Sequence, residues 1–349
     1  GVITANIDEY NAAFVPAAFN DINNPTVAEI NAVIASVNTI VANETAALDE
    51  LKEDIAGNAN NDLVEASELN SIRGVSGAIQ ANQAEYQAAF IATSPSPFAD
   101  TANPTPAEIQ AVIDSVNTIV ANETAALDEL KEDIAGNANN DLVEASELNS
   151  IRGVSGAIQA NQAEYQVAFI ATSPSPFVDT KNPTPAEIQA VIDSVNTIVA
   201  NETAALDELK EDIAGNTNND LVEASELNSI RGVSGAIQAN QAEYQAAFIA
   251  TSPSPFTDPA NPTPAEIQAV IDSVNTIVAN EKSALDELKE DIAGNANNDL
   301  VEAAELNAIR GVTNAIQANQ TEYQAAFIAT SPSPFADTAN PTPAEIQAV

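Results

Sequence analysis

The chain repeats itself every 79 residues, almost letter for letter. The segment SVNTIVANE begins at Ser36 and returns at Ser115, Ser194 and Ser273. A fixed period of this length is typical of a tandem array, in which one supersecondary unit is stacked in series. An enzyme instead needs one pocket where unlike groups converge. The period therefore favours a molecule built for length or valency over one built for catalysis.

The period divides the chain into a divergent lead and four repeats. The lead, 1–33, matches the second half of a repeat only loosely, as expected of a terminal cap. The sequence stops at PAEIQAV, which in the other copies runs on into IDSVN, so we expect the array to continue beyond 349. The predicted repeats are 34–112, 113–191, 192–270 and 271–349.

Composition excludes several classes of protein. Apolar residues make up 45% of the chain but aromatic residues only 4%, so Ala, Val, Ile and Leu must fill slim cores. The chain has no Cys, which excludes a disulfide framework and a thiolate metal site. The net charge of −41 would repel a phosphate backbone, so we expect no nucleic-acid partner. No apolar run reaches the roughly 18 residues of a membrane span, so we expect none in this segment.

Each repeat is predicted to open with a long helix. For the long helix that runs into the second repeat, Thr105 is the expected N-cap, Pro106 takes the first helical position and Glu108 completes a capping box. Nothing breaks the run before Gly136, although Asn122 could cap a second helix and split it. We favour one long helix. The apolar stripe, at steps of three, four and seven, comprises Ile109, Val112, Ile113, Val116, Val120, Leu127, Leu130 and Ile134.

The rest of the repeat is predicted as a loop, a short helix, a third helix and a Pro-rich connector. The short helix is expected within DLVEASELNSIRG, with Val143, Leu148 and Ile151 facing inward. The third helix is expected over VSGAIQANQAEYQVAFIATS, and the prolines of SPSPFVDTKNPTP forbid further helix. The fold class is thus all-α, an elongated tandem array of helical bundles. The inward residues of the third helix are predicted to be Ile158, Tyr165, Phe169 and Ile170.

The loop between the long and short helices resembles a shortened EF-hand calcium loop. In the first repeat it reads GNANNDLVEASEL, with oxygen-bearing side chains where the standard loop has its ligands. The glycine of position 6 is missing, and only three of the candidate ligands are charged. The resemblance implies weak calcium binding, with a Kd of roughly 10⁻⁴ to 10⁻³ M. The candidate ligands are Asn58, Asn60, Asp62, Glu65, Glu68, Asn137, Asn139, Asp141, Glu144, Glu147, Asn216, Asn218, Asp220, Glu223, Glu226, Asn295, Asn297, Asp299, Glu302 and Glu305.

A second interpretation of the same residues needs no metal. Asp62 followed by Glu65 has the spacing of an acidic capping box, and Gly and Asn commonly end helices. Capping of the short helix would then account for the whole pattern. Both interpretations fit the sequence.

Other residue patterns favour structural roles. The sequon formed by Asn122, Glu123 and Thr124 falls in the middle of a predicted helix, which argues against glycosylation. Tyr165 and Phe169 are expected in the core rather than on a ligand platform. Paired carboxylates could in principle act as acid and base, but the chain has no His or Cys to assist them. We therefore predict that the protein is not an enzyme.

The pattern as a whole resembles the near-identical tandem repeats of large bacterial adhesins and other cell-surface proteins. The likeness is architectural and covers the 316 repeated residues. It implies an extracellular stalk or filament component, stiffened by calcium, that associates with itself or with neighbouring surface proteins. The alternative is a multivalent adhesion module in which every repeat binds the same partner. An exposed apolar patch recurring once per period would favour that alternative.

Overall fold

The computed structural model describes residues 1–57, 64–93, 95–136, 142–172, 175–215, 222–250, 254–294, 301–329 and 333–349. They form two compact units, Gly1–Asp193 and Ser194–Val349. Helices and the turns between them make up these ranges, and no β-strand occurs in them. The predicted all-α repeat is therefore confirmed. None of the helices described is both long and apolar enough to cross a bilayer.

Each copy contains one long, continuous helix. At its start the Thr105 hydroxyl accepts the backbone N–H of Glu108, and the Glu108 carboxylate accepts the N–H of Thr105, which confirms the predicted capping box. The helix runs unbroken past Asn122, so the alternative of two shorter helices is wrong. Gly136, just beyond its end, has a φ of 74°, a left-handed conformation that favours glycine. The four long helices, each of 29 residues, are α2 (Val27–Ile55), α5 (Pro106–Ile134), α8 (Pro185–Ile213) and α11 (Pro264–Ile292).

The short helix is a single turn, shorter than the sequence predicted. Its end is set by Asn149, whose side chain accepts the N–H of Ala157 at 3.0 Å and donates to the carbonyl of Ala157 at 2.9 Å. These bonds draw the chain back on itself, in competition with further helix. Val143, Leu148 and Ile151 are nevertheless buried, as predicted. The short helices are α3 (Ala66–Leu69), α6 (Ala145–Leu148), α9 (Ala224–Leu227) and α12 (Ala303–Leu306).

The third helix begins later than predicted. The N–H of Ile158 donates to the Tyr165 hydroxyl at 2.9 Å, and Gly156 has a φ of 74°, so the segment before residue 159 is not helical. Tyr165 and Phe169 are buried as expected, but Ile158 and Ile170 are each 49% exposed, so the prediction that they face inward is wrong. The helices of this type are α1 (Ile7–Ala13) in the lead, α4 (Gln83–Phe90), α7 (Gln162–Phe169), α10 (Gln241–Phe248) and α13 (Gln320–Phe327), and α14 (Pro343–Ala348) closes the described chain.

In the first unit, one core joins the end of α2 to the beginning of α5. The end of α2 contributes Ala47 and Leu51, and the beginning of α5 contributes residues from Ile109 to Val116. Between them lie the short helix, α4 and Phe98 of the connector. The beginning of α2 packs separately, with Ile34 and Val37 against Tyr10 of the lead. The core thus crosses the sequence boundary between residues 112 and 113.

In the second unit, α11 is shared between two cores. Its first half places Ile267, Val270, Ile271 and Val274 in a core with α10 and the end of α8. Its second half places Ala284 and Leu288 in the next core, with α12 and α13. Residues 279–283 belong to neither core. A long helix is therefore the structural element that two consecutive bundles have in common.

The Pro-rich connector is fixed by the glutamate of the capping box. Phe256 of the connector is buried and stacks on Phe248, with ring centroids 6.0 Å apart. Glu266 then accepts the N–H of Thr257 at 2.8 Å, besides the N–H and hydroxyl of Thr263 at 2.9 and 2.7 Å. These bonds, with that from Thr257 the strongest, lower the pKa of Glu266 to about 2. The same carboxylate therefore caps the helix and holds the preceding loop against it.

Two isoleucines of α11 provide a test of the shared core. Ile271 is fully buried, whereas Ile277, six residues later on the same helix, is 49% exposed. We expect Ile271→Ala to lower the free energy of unfolding by about 2–5 kcal/mol, because it leaves a cavity in a packed core. The control Ile277→Ala should cost less than about 1 kcal/mol. Urea unfolding measures both, and equal losses would contradict the core assignment.

The connector glutamates predict a loss of stability in acid. A folded-state pKa of about 2 for Glu266, below its ordinary value of 4.5, means that folding favours the ionised carboxylate. This stabilisation is present above pH 4.5 and is lost as the pH falls towards 2. We expect the Glu266→Gln variant to be less stable than the parent chain at pH 6. Between pH 5 and pH 2 its melting temperature should fall by less than that of the parent chain. Parallel acid dependence in the two chains would contradict this role.

Candidate functional site

The first three candidate ligands of each predicted calcium loop lie outside the described residues. The described part begins again at Leu142 in the second copy and at Val64, Val222 and Val301 in the others. The prediction that these side chains bind calcium therefore stays a prediction. The residues concerned are Asn58, Asn60, Asp62, Asn137, Asn139, Asp141, Asn216, Asn218, Asp220, Asn295, Asn297 and Asp299.

The last two candidate ligands of each loop are brought together at the start of the short helix. Glu65 is the N-cap of α3, and its N–H donates to the carboxylate of Glu68 at 2.8 Å in a capping box. The helix begins at Ala66, so Glu65 itself, rather than Asp62, occupies the N-cap position. A carboxylate that accepts one N–H keeps lone pairs that can face a cation. The equivalent pairs, with the same box, are Glu144 and Glu147, Glu223 and Glu226, and Glu302 and Glu305.

A buried aspartate ties the two ends of the loop together. Asp291 lies in the last turn of α11, is 6% exposed and accepts the N–H of Val301 at 2.9 Å. The charge-assisted bond joins residues ten positions apart across the loop, in a buried setting where it is strong. Asp54, Asp133 and Asp212 make the same bond at 2.9–3.0 Å. Within the described ranges, no group of three or more Asp, Glu, His or Cys side chains is placed to hold a metal ion.

Consecutive copies meet at an arginine. In the second unit the backbone N–H and Nε of Arg310 donate to Glu281 of α11 at 3.2 and 2.6 Å, and Nη1 donates to Glu243 of α10 at 3.0 Å. We call this three-residue arrangement the arginine clamp. The guanidinium lowers the pKa of Glu243, and the two carboxylates raise the pKa of Arg310. The pairing therefore favours the charged forms of Glu243 and Arg310.

The clamp recurs in the first unit. Arg152 donates to Glu123 of α5 at 2.7 Å through Nε and to Glu85 of α4 at 2.9 Å through Nη1. In the lead, Glu9 takes the place of Glu85, and it accepts from Arg73 at 3.3 Å. Arg73, Arg152 and Arg310 thus join their own long helices to the third helix of the copy before, or to the lead.

A polar network fixes α10 on α11, the long helix that follows it. The Tyr244 hydroxyl donates to Asn275 Oδ1 at 2.5 Å, and Asn240 donates to the same oxygen at 2.9 Å. The amide of Asn275 donates in turn to the carbonyl of Gly235 at 2.9 Å. If α10 shifted along α11 by one helical turn, Tyr244 and Asn240 would no longer reach Asn275, and buried polar groups would be left unpaired. The network therefore sets the register between α10 and α11.

Apolar side chains also recur on the surface. The isoleucine at the middle of each long helix is about half exposed, at 48–49%, and in α5 this residue is Ile119. Ile119 lines a groove of about 310 Å³ with Ala89, Pro97 and Ala111. Isoleucines before and after each third helix, such as Ile79 and Ile91, are also about half exposed. Each copy thus presents the same apolar groups to the surroundings.

Sequence reasoning missed the clamp and the buried aspartate. One signal was present, because the chain has only ten basic residues and exactly one arginine falls in each period, at Arg73, Arg152, Arg231 and Arg310. The partners of an arginine lie 29 and 67 residues earlier in the chain, beyond the reach of a local pattern. In the sequence Glu123 was noted only as the middle of a sequon, whereas in the structure it accepts two hydrogen bonds from Arg152.

Comparison with known proteins returned no relative: no family model, curated protein or solved structure matches this chain.

Proposed function

We propose that the chain is a non-enzymatic structural repeat protein, a segment of an extracellular stalk or filament on a cell surface, and that the surface is bacterial. Calcium bound at the loops would stiffen it, and its partners would be further copies or neighbouring surface proteins. The observation that carries this proposal is the sharing of α11 between two consecutive cores. A copy that shares its main helix with the next is joined to it in series, which is what a spacer requires.

The repeated surfaces support the same proposal. The clamp, the network and the connector serve the joint between copies, and the acids that form them are engaged with neighbouring groups rather than grouped around a common pocket. A net charge of −41 keeps such a chain from collapsing on itself. The likeness to bacterial adhesin repeats supports the location, and the near-identity of the copies supports a role in which each contributes the same increment.

Copy number provides the direct test. We expect chains lengthened by one and two additional copies of 113–191 to gain a constant increment of maximum dimension per copy in small-angle X-ray scattering. In a compact protein the radius of gyration instead grows only as about the 0.38 power of chain length. A radius of gyration that followed this compact scaling would contradict the stalk proposal.

Calcium binding is tested by thermal melting. For a Kd of roughly 10⁻⁴ to 10⁻³ M, 10 mM calcium should add about 1.4–2.7 kcal/mol per site to the folded state, and the melting temperature should rise. The matched control replaces Asp62, Asp141, Asp220 and Asp299 together by Asn, which should abolish the rise. Magnesium at equal ionic strength controls for screening of the acidic chain, and a chelator should reverse the effect. An equal rise in melting temperature in the parent chain and in the Asn variant would contradict calcium binding at these loops.

A second candidate function is a multivalent adhesion module. The half-exposed isoleucines that recur once per period, with the groove at Ile119, are the observation that favours it. Avidity would make attachment of coated particles to a cell surface rise far more steeply than in proportion to copy number. Replacing Ile40, Ile119, Ile198 and Ile277 by Ser should then abolish attachment. A stalk without adhesive function predicts no attachment by either chain.

A further inference from the structure

We propose that the arginine clamp is the device that fixes the angle between consecutive bundles, and that without it the long helix flexes between its two cores. The proposal concerns the joint alone. It goes beyond the proposed function and holds whether or not the array stands on a cell surface.

The clamp bridges two cores that also share α11. Arg310 follows Ile309, which is buried in the core formed with α13. Glu243 precedes Tyr244, which is buried in the core formed with α10. The bond between Arg310 and Glu243 thus joins one core to the other outside α11. The two cores are therefore connected both through α11 and through this ion pair.

The central partner of the clamp lies where α11 is least supported. Glu281 falls within 279–283, the stretch that packs in neither core. Helices bend most easily where tertiary packing does not restrain them, and an isolated helix in water is only marginally stable. Glu281 is 12% exposed at its side chain and binds Arg310 through both oxygens, so it fastens this stretch of α11 to the turn after α12. The clamp therefore acts at the point where bending would otherwise occur.

The lead retains the groups that form this joint. It departs from the other copies at many positions, with Ile7 and Asp8 where they have Gln83 and Ala84. It nevertheless keeps Glu9, which pairs with Arg73. It also keeps Tyr10 and Asn6, which bond to Asn38 of the following long helix. Asn6, Glu9 and Tyr10 are therefore matching residues of the lead that touch the next copy.

Distance measurements between spin labels test the proposal in the full chain. The protein has no cysteine, so labels can be placed at Ala246→Cys on α10 and Ala325→Cys on α13, two exposed positions in consecutive bundles. We expect a narrow distance distribution in the parent chain. Glu243→Ala removes the arm that crosses between the cores, and should broaden that distribution at least about twofold.

Two controls isolate the joint. Asp286→Ala removes an equal charge from an ion pair within α11, that with Lys282 at 2.6 Å, and should leave the width unchanged. A reference pair at Ala246→Cys and Ala265→Cys lies within one bundle and should stay narrow in every variant. The proposal is overturned if Glu243→Ala leaves the width between bundles as it was, if Asp286→Ala broadens it equally, or if the reference pair broadens too.

Discussion

The division of each long helix between two cores is the constraint on which the rest of the structure depends. One half of α11 is buried with α10 and the other half with α12 and α13, so the core that includes Ile271 and Val274 extends past the end of the predicted repeat 192–270. The stability of one bundle therefore includes an interface with its neighbour, as in other repeat proteins. This arrangement also explains why the copies differ so little. A side chain at the start of a long helix must fit a surface supplied by the preceding copy, so changes in one copy have consequences in the next.

Regular patterns of the sequence predicted the long helices well. The stripe from Ile109 to Leu130 and the Thr-Pro-x-Glu start specified a continuous helix, because periodic burial and capping act over a few residues. The same reasoning predicted that the short helix would continue beyond Leu148 and that the third helix would begin well before Gln162, and both predictions are wrong. There Asn149 and Tyr165 bond to the backbone of residues 157 and 158 and compete with the helix. Such bonds depend on where the chain returns in space, which periodicity does not encode.

The candidate site was predictable only in part. The pairing of Glu65 with Glu68 places two of the proposed ligands together, although as a capping box with a different N-cap from the one expected. The clamp could not be read from spacing, because Glu243 and Arg310 are 67 residues apart and meet only when two bundles pack. What the sequence did contain was the scarcity of cations. In a chain of 51 acidic residues, Arg73, Arg152 and Arg310 each lie between two glutamates that would otherwise repel each other.

The hydrogen bond between Asp291 and Val301 makes the positions of the flanking helices independent of the length of the loop between those two residues. Because the ends of the loop are joined by a buried hydrogen bond, the helices on either side are positioned by that bond and by their cores. The entropic cost of a longer loop grows only slowly with its length. Foreign peptides inserted at this site would accordingly be displayed once per period, at regular intervals along the chain, which makes the array a natural scaffold for presenting many copies of one epitope.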